Sequence, residues 1–427
     1  MPIFCNRRQQ SVPVRIAGVI LVLFAWPTLG QASTPTLSMG EAVDIALERA
    51  PMLDARSASV EAARQDRVRA GALPDPMLTV GIDNLPVTGP EAFDPAADFM
   101  TMKRIGIRQE VPARAERQAR RSLADRAIAE ARALTQVERL NVQREASAAW
   151  IGLWTAQRSV ERLETLREQS VLASRLARAR VSGGTDSVAG ALATEAAVLE
   201  LDNRLEVARA EVAAAQVALT RWIGTSDVRA KPALPDLTVL PVPEAELLAS
   251  LDRLGPLLAI DARTDTTAAA IDLAQAEKRP DWSIAASYGQ RDGGRSDMVM
   301  VEFGIQLPLS AAGRQDRDVA ARRAEYEGAL AALEDARREQ AARIRAAVAR
   351  WQALLRQVAR DQDALLPLQR DRSATALASF RAGAPVAAWL EARQDEIDAE
   401  LEHIRRTGEL GRLWASLAYL LPAEEAR

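Results

Sequence analysis

The sequence predicts a mainly α fold with a small β component: a β-barrel set in a bilayer and shared between copies of the chain, continuing into a long α-helical barrel in water. Three observations predict it. Residues 41–224 and 244–420 carry nearly the same pattern twice; each copy joins a very long helical stretch to one short β-hairpin; and both hairpins have an apolar outer face. A helical bundle in the cytosol has no use for two isolated hairpins of that kind, whereas a barrel that crosses a bilayer and continues as helices needs both parts.

Composition bounds the function. The 427 residues are 48% hydrophobic, 26% charged and only 4% aromatic, with a net charge of −3. No basic face is concentrated enough to serve as a nucleic-acid footprint, so no nucleic-acid partner is expected. Cys5 is the only cysteine and His403 the only histidine. Disulfide frameworks, thiolate metal sites and multi-histidine sites are thereby excluded, and no cofactor is expected. His403 lies in the helical segment Leu401-Glu402-His403-Ile404 and reads as a surface helix residue rather than a catalytic one. The Asp and Glu side chains fall at spacings typical of solvated helix faces and i,i+4 pairs with arginine, so no enzyme is expected.

Residues 1–32 read as a secretory signal peptide. Arg7, Arg8 and Arg15 supply positive charge, residues 16–26 an apolar core too short to span a membrane, and Gly30-Gln31-Ala32 the small residues before a cut after Ala32. The first repeat occupies 33–224. Ser38 with Glu41 three residues on forms a capping box, and Val43, Leu47 and Val60 carry an apolar stripe that Gly71 and Pro74-Asp75-Pro76 end. Strands are expected at about 77–86, with Leu78, Val80 and Ile82 on one face, and at about 99–111, separated by a polar loop at 87–98. From Ala113 to Val181 there is no proline and only Gly152, which allows about 105 Å of helix. Leu134, Leu140, Trp150, Trp154, Leu163 and Leu166 mark its buried stripe; Gly183-Gly184 breaks it, and a return helix ends at Gly224.

A connector at 225–243 carries Pro232, Pro235, Pro241 and Pro243, and the second repeat, 244–427, then starts over. Strands are expected at about 281–290 and 297–309, joined by the turn Arg291-Asp292-Gly293-Gly294. A second long helix runs from Gly313 to Ala382 with a kink expected at Pro367, and Gly383-Ala384-Pro385 turns the chain back. Gly106 matches Gly304, Trp150 matches Trp351 and Gly183 matches Gly383, at nearly constant offsets of 198, 201 and 200 residues. Two copies are too few for an open solenoid, so oligomerisation is expected to complete the fold.

In the second hairpin Val299, Val301, Phe303, Ile305 and Leu307 share one face with Trp282, Ile284, Ala286 and Tyr288 of the partner strand. Met298, Met300, Glu302, Gly304 and Gln306 share the other. Each strand has about the 9–11 residues that cross a bilayer. Two hairpins cannot close a barrel and open edges are not tolerated in lipid, so several chains must contribute strands. In the first hairpin Phe99, Thr101, Lys103, Ile105 and Ile107 face outward, with Lys103 near the headgroups. Met100, Met102, Arg104, Gly106, Arg108 and Glu110 face a wet lumen. The expected pore-lining set is therefore Met100, Met102, Arg104, Met298, Met300 and Glu302, in which four thioethers either fill crowded space or meet soft metal ions in transit.

Taken together these features resemble the TolC family of outer-membrane efflux proteins. The markers are the duplicated helix–hairpin–helix layout, the strand ends Gln109-Glu110-Val111-Pro112 and Gln306-Leu307-Pro308-Leu309, and the tips Gly184-Thr185-Asp186-Ser187 and Phe380-Arg381-Ala382-Gly383. Leu73-Pro74-Asp75-Pro76-Met77, Gly81-Ile82-Asp83-Asn84-Leu85-Pro86-Val87 and Asp98-Phe99-Met100-Thr101-Met102-Lys103-Arg104 look like its heavy-metal branch, of CzcC or CusC type. The resemblance implies a homotrimer in outer-membrane lipid, with four strands per chain in a twelve-stranded barrel. It implies a periplasmic adaptor (membrane fusion protein) and an inner-membrane resistance-nodulation-division pump as partners. The expected function is a passive duct for efflux of heavy-metal cations; the same duct serving drugs or type I protein secretion, and a soluble periplasmic coiled-coil scaffold, are the alternatives. By position, Gly183, Gly184, Asp186 and Gly383 would lie at the periplasmic tip, where Asp186 is a candidate for an acidic constriction or for a helix N-cap.

Overall fold

The computed structural model describes residues 35–185, 187–307 and 309–422; the expected signal peptide and Asp186 lie outside these residues. The chain begins with a short strand β1 (Thr36–Leu37), helix α1 (Met39–Arg49) and helix α2 (Pro51–Ala70). Ser38 caps α1 with the reciprocal Glu41 contact that its spacing predicts. Strands β2 (Met77–Asp83) and β3 (Met102–Val111) follow, then α3 (Arg114–Ser182) and α4 (Val188–Ile223). Strand β4 (Arg229–Ala230) and helix α5 (Glu244–Ala249) lead into the second repeat: α6 (Gly255–Ala276), β5 (Trp282–Gln290), β6 (Met298–Ile305), α7 (Gln315–Arg360), α8 (Leu366–Arg381) and α9 (Val386–Ala418).

The two repeats interlock rather than stand side by side. The α3 helix packs on α2 and α6 along one part of its length and on α4 and α9 along another, while α7 packs on α6 and α9. A helix as long as α3 is held by such neighbours, because its own propensity does not keep 69 residues in register. Where the chain enters the helical body, four indoles peg the extended segments. Trp150 Nε1 donates to Leu37 O at 2.9 Å and Trp351 Nε1 to Leu237 O at 3.1 Å. Trp154 and Trp414 donate to Pro232 O and Val239 O at 2.9 and 2.8 Å. The connector is thus strapped to the core around Trp150, Ile151, Leu247 and Leu254. Strand β1 pairs parallel with β4, a two-residue contact too short to read from sequence.

Between α7 and α8 the helix widens into a π-turn at Asp361–Leu365. Pro367 follows at the start of α8, where its missing N–H and its ring would collide with a regular helical turn, and the wider turn absorbs that conflict. The helix therefore continues with a local change of pitch at the expected kink.

The four longer strands form one antiparallel sheet in the order β2-β3-β5-β6. Strands β2 and β3 are shorter at their outer ends than the alternation suggests, and β6 ends at Ile305 rather than at residue 309, toward the helices. Asn84, at a backbone φ of 57°, turns the chain out of β2, and β3 starts at Met102 rather than at residue 99. Thr101, expected on the outward face, is instead buried and donates its hydroxyl to Asn84 O at 2.8 Å. Among the described residues no helix is long and apolar enough to cross a membrane.

Candidate functional site

The sheet register sorts the side chains onto two faces of opposite character. On one, Leu78, Ile107, Ala286 and Val301 lie in one cross-strand row, and Val80, Ile105, Tyr288 and Val299 in the next. This face is open: Val80, Val299 and Phe303 are 75%, 74% and 72% exposed. A solvated sheet face of these residues, without helices over it, has the character of a lipid-facing wall. Lys103 is the exception and lies at the rim, with its ammonium 2.9 Å from Asp292 in the turn between β5 and β6.

The opposite face is polar. Its rows are Gly81, Arg104, Gly289 and Met298; then Thr79, Gly106, Ser287 and Met300; then Met77, Arg108, Ala285 and Glu302. Arg104 pairs with Asp83 at 2.9 Å and Arg108 with Glu302 at 3.4 Å. Strand β5 offers only small residues here, and Gly289 has a steric reason: a Cβ on it would come within 2.7 Å of Met102 Sδ. Met102 and Met298 therefore flank the same glycine. Met100 is not with them. It sits in the turn before β3, its amide donating to Asp98 Oδ1 at 2.9 Å, so the strand pattern extended through residue 99 misplaced it.

At the far end of the helices the two tips are joined to each other. Gly184 and Gly383 adopt φ of 70° and 113°, where a side chain would be strained, while Gly183 has an ordinary φ of −83° and caps α3. Ser187 is the N-cap of α4, accepting from Gly190 N at 3.0 Å. The Arg180 guanidinium lies 4.7 Å from the centre of the Phe380 ring and donates to Phe380 O. Phe380 in turn stacks on Trp389 at 6.2 Å in a buried cluster. The first repeat thus grips the second at the tip.

A buried charge network lies higher in the helical body. Arg162 and Arg370 both bind Glu400, and Arg406 holds Asp361 of the π-turn with oxygens at 2.9 and 2.8 Å. His403 was expected at the surface, but its Nδ1 is buried without a hydrogen bond, 3.9 Å from Asp361. Burial holds its imidazole below the ordinary histidine range, and nearby Asp361 partly offsets that. Sequence reading missed this network because charged residues on long helices are usually solvated. The only signal was Pro367, which marks where the helix must deform.

No protein-family model matches this sequence, and no curated protein sequence matches it. Solved structures do share its fold. A membrane protein from Pseudomonas aeruginosa superposes at a TM-score of 0.76 with 17% identity, covering 97% of this chain and 98% of its own. The CmeC outer membrane channel of Campylobacter jejuni gives 0.74 at 13% identity, covering 98% and 96%. A structure of CusC, described by its folding and transmembrane channel formation, gives 0.74 at 15% identity, covering 90% and 92%. The fold of this chain is therefore that of outer-membrane channels with a long helical barrel, over nearly its whole length.

Proposed function

We propose that this chain is one third of a homotrimeric outer-membrane duct that passively conducts substrates from the periplasm to the exterior, and that it is not an enzyme. The observation that carries this reading is the open sheet. Strands β2 and β6 each leave an unpaired edge, and β2 and β6 run antiparallel to one another through the order β2-β3-β5-β6. Unpaired edges cannot end in hydrocarbon. Copies joined β6 to β2 continue the antiparallel pattern head to tail, and such heterologous contacts close into a ring. Three copies give twelve strands, an even number within the range of such barrels. The polar face with Arg104, Met298, Met300 and Glu302 then lines the lumen, and the tips around Gly183, Gly184 and Gly383 face the periplasm.

The partners that fit are a periplasmic adaptor at the tips and an inner-membrane resistance-nodulation-division pump that supplies the energy. For the cargo we favour heavy-metal cations. The support is the pair of thioethers flanking Gly289, Met102 and Met298, with Met300 one row away and Met100 at the outer rim. The membrane reading is tested by mass and migration in detergent: a heat-modifiable trimer is expected, and a monodisperse monomer in plain buffer overturns it. The cargo is tested by substituting Met100, Met102, Met298 and Met300 with leucine. Lowered tolerance to copper or silver supports a soft cation, while unchanged metal tolerance with altered drug tolerance supports a drug duct.

A further inference from the structure

A recess of about 660 Å³ opens where the sheet meets the helices, bounded by the ends of β5 and β6 and the first turn of α7. At its lip stand Leu307 and Leu309, 61% and 90% exposed, which follow directly on the apolar face that ends at Ile305. Together with Val301, Phe303 and Ile305 they extend one exposed apolar face, which hydrocarbon adjacent to the sheet would cover. Inside the recess are Arg279 and Arg314. Neither guanidinium is hydrogen-bonded or ion-paired to any described residue. The recess also carries the carboxylates of Glu277, close in sequence to Arg279, and Asp318, one helical turn from Arg314 and 3.8 Å from Arg322. Gln315 also lines it, and its Oε1 is buried with no hydrogen-bond partner. A buried acceptor without a donor in the chain leaves room for a donor from water or from a bound molecule.

These three features match the three parts of one kind of molecule. Leu307 and Leu309 suit an acyl chain; the two free guanidinia suit a phosphate; the carboxylates and the Gln315 oxygen suit an ammonium. We propose that this recess is a binding site for a membrane phospholipid whose head group carries both phosphate and ammonium, a phosphoethanolamine lipid of the periplasmic leaflet. The site rests on the membrane-duct reading, since only a lipid-embedded sheet brings a head group to this depth. It fastens the barrel–helix junction: Glu116, in the first turn of α3, shares the recess with Asp281, whose carboxylate accepts from Ala113 N at 2.9 Å.

The test is native mass spectrometry of the full chain as its detergent-extracted oligomer. Four additions are compared: phosphatidylethanolamine, phosphatidylglycerol, diacylglycerol and inorganic phosphate. Retention of phosphatidylethanolamine above the other three is expected, with roughly tenfold weaker retention in Arg279→Gln/Arg314→Gln and partial recovery in Arg279→Lys/Arg314→Lys. Equal retention of phosphatidylethanolamine and diacylglycerol by the wild-type oligomer overturns the site. So does displacement of the lipid by inorganic phosphate, which assigns the arginines to a free anion. The wild-type comparison decides the matter even if the double variant does not fold. A chain that is monomeric without detergent overturns the duct reading instead, which keeps the two failures apart.

Discussion

The two repeats build the same layout, and their interiors differ where the second carries a π-turn. In the first, α3 runs unbroken from Arg114 to Ser182 and buries mainly apolar and small side chains, Trp150, Ile151, Leu153 and Leu166 among them. In the second, the matching helix is divided by the π-turn at Asp361–Leu365, and the turn carries a buried carboxylate. Residue 161, which corresponds to Asp361 at the 200-residue offset, is Glu161, an exposed side chain paired with Arg158 at 2.6 Å. Duplication thus conserves length and contacts while letting one copy hold charge where the other holds solvent-facing pairs. A charge is tolerated inside only where its partners are fixed, and Arg406 fixes Asp361.

The largest expected effect tests the apolar side of that contrast. Trp150 is fully buried and Trp351 is slightly less so, and each indole holds a different extended segment. Trp150→Ala should cost about 3–5 kcal/mol and Trp351→Ala less, read from the shift of the urea midpoint in detergent. Equal losses would mean that the repeats are energetically interchangeable.

The charged side comes next. Asp361→Asn removes the buried carboxylate that Arg406 holds, while half-buried Arg406 keeps its 3.0 Å contact with Glu402, and should cost about 2 kcal/mol, whereas Glu161→Gln should stay within about 0.5 kcal/mol. Comparable shifts in the two unfolding midpoints would erase the distinction between the repeats.

A pH series sharpens the same comparison through two groups of opposite sign. His403 has a folded value below 6.5 because it is buried, so the unfolded chain binds a proton that the folded chain does not. Stability is full above the ordinary histidine range and falls as pH drops through it. His403→Gln should make that acid-side decline shallower. In the first repeat, burial raises the Glu116 carboxyl, against the pull of Arg120 and with the nearby Asp281 and Glu277 adding to the rise. The folded chain there keeps a proton that the unfolded chain releases, so stability falls as pH rises from the ordinary value of 4.5 toward the folded one. Glu116→Gln should flatten that decline. Melting temperatures across the range, for each variant against the parent, check both.

The smallest effect concerns the contact between repeats at the tip. Arg180→Ala removes the stacking on Phe380 and the bond to its carbonyl, a loss of about 1 kcal/mol that falls locally. Faster amide exchange around residues 376–390, with the global midpoint nearly unchanged, is expected; unaltered exchange would show that the tips hold without it.

Much of the architecture is legible in the residues themselves. The Ser38–Glu41 box, the proline-free stretch before Gly183, and the alternation Val299, Val301, Phe303 each carry a local signal, because periodicity and capping act over a few residues. Met100 shows where that stops. Its alternation with Met102 is real, but Asn84 and Thr101 close the loop beneath it and take the chain out of the sheet. The pairing of β3 with β5, the bond from Arg180 to Phe380 across 200 residues, and the approach of Arg406 to Asp361 join distant parts of the chain.

The sequence by itself determined that the chain is duplicated, that each copy is a long helix with a hairpin, and which hairpin face is apolar. Those properties follow from side-chain chemistry at fixed local spacing. Only the tertiary structure decided that the two hairpins form one sheet with two open edges, that His403 is half-buried beside a π-turn, and that two arginines without partners among the described residues share a recess with exposed leucines. These depend on which distant surfaces meet, and a one-dimensional pattern does not encode a through-space distance until the long helices have packed.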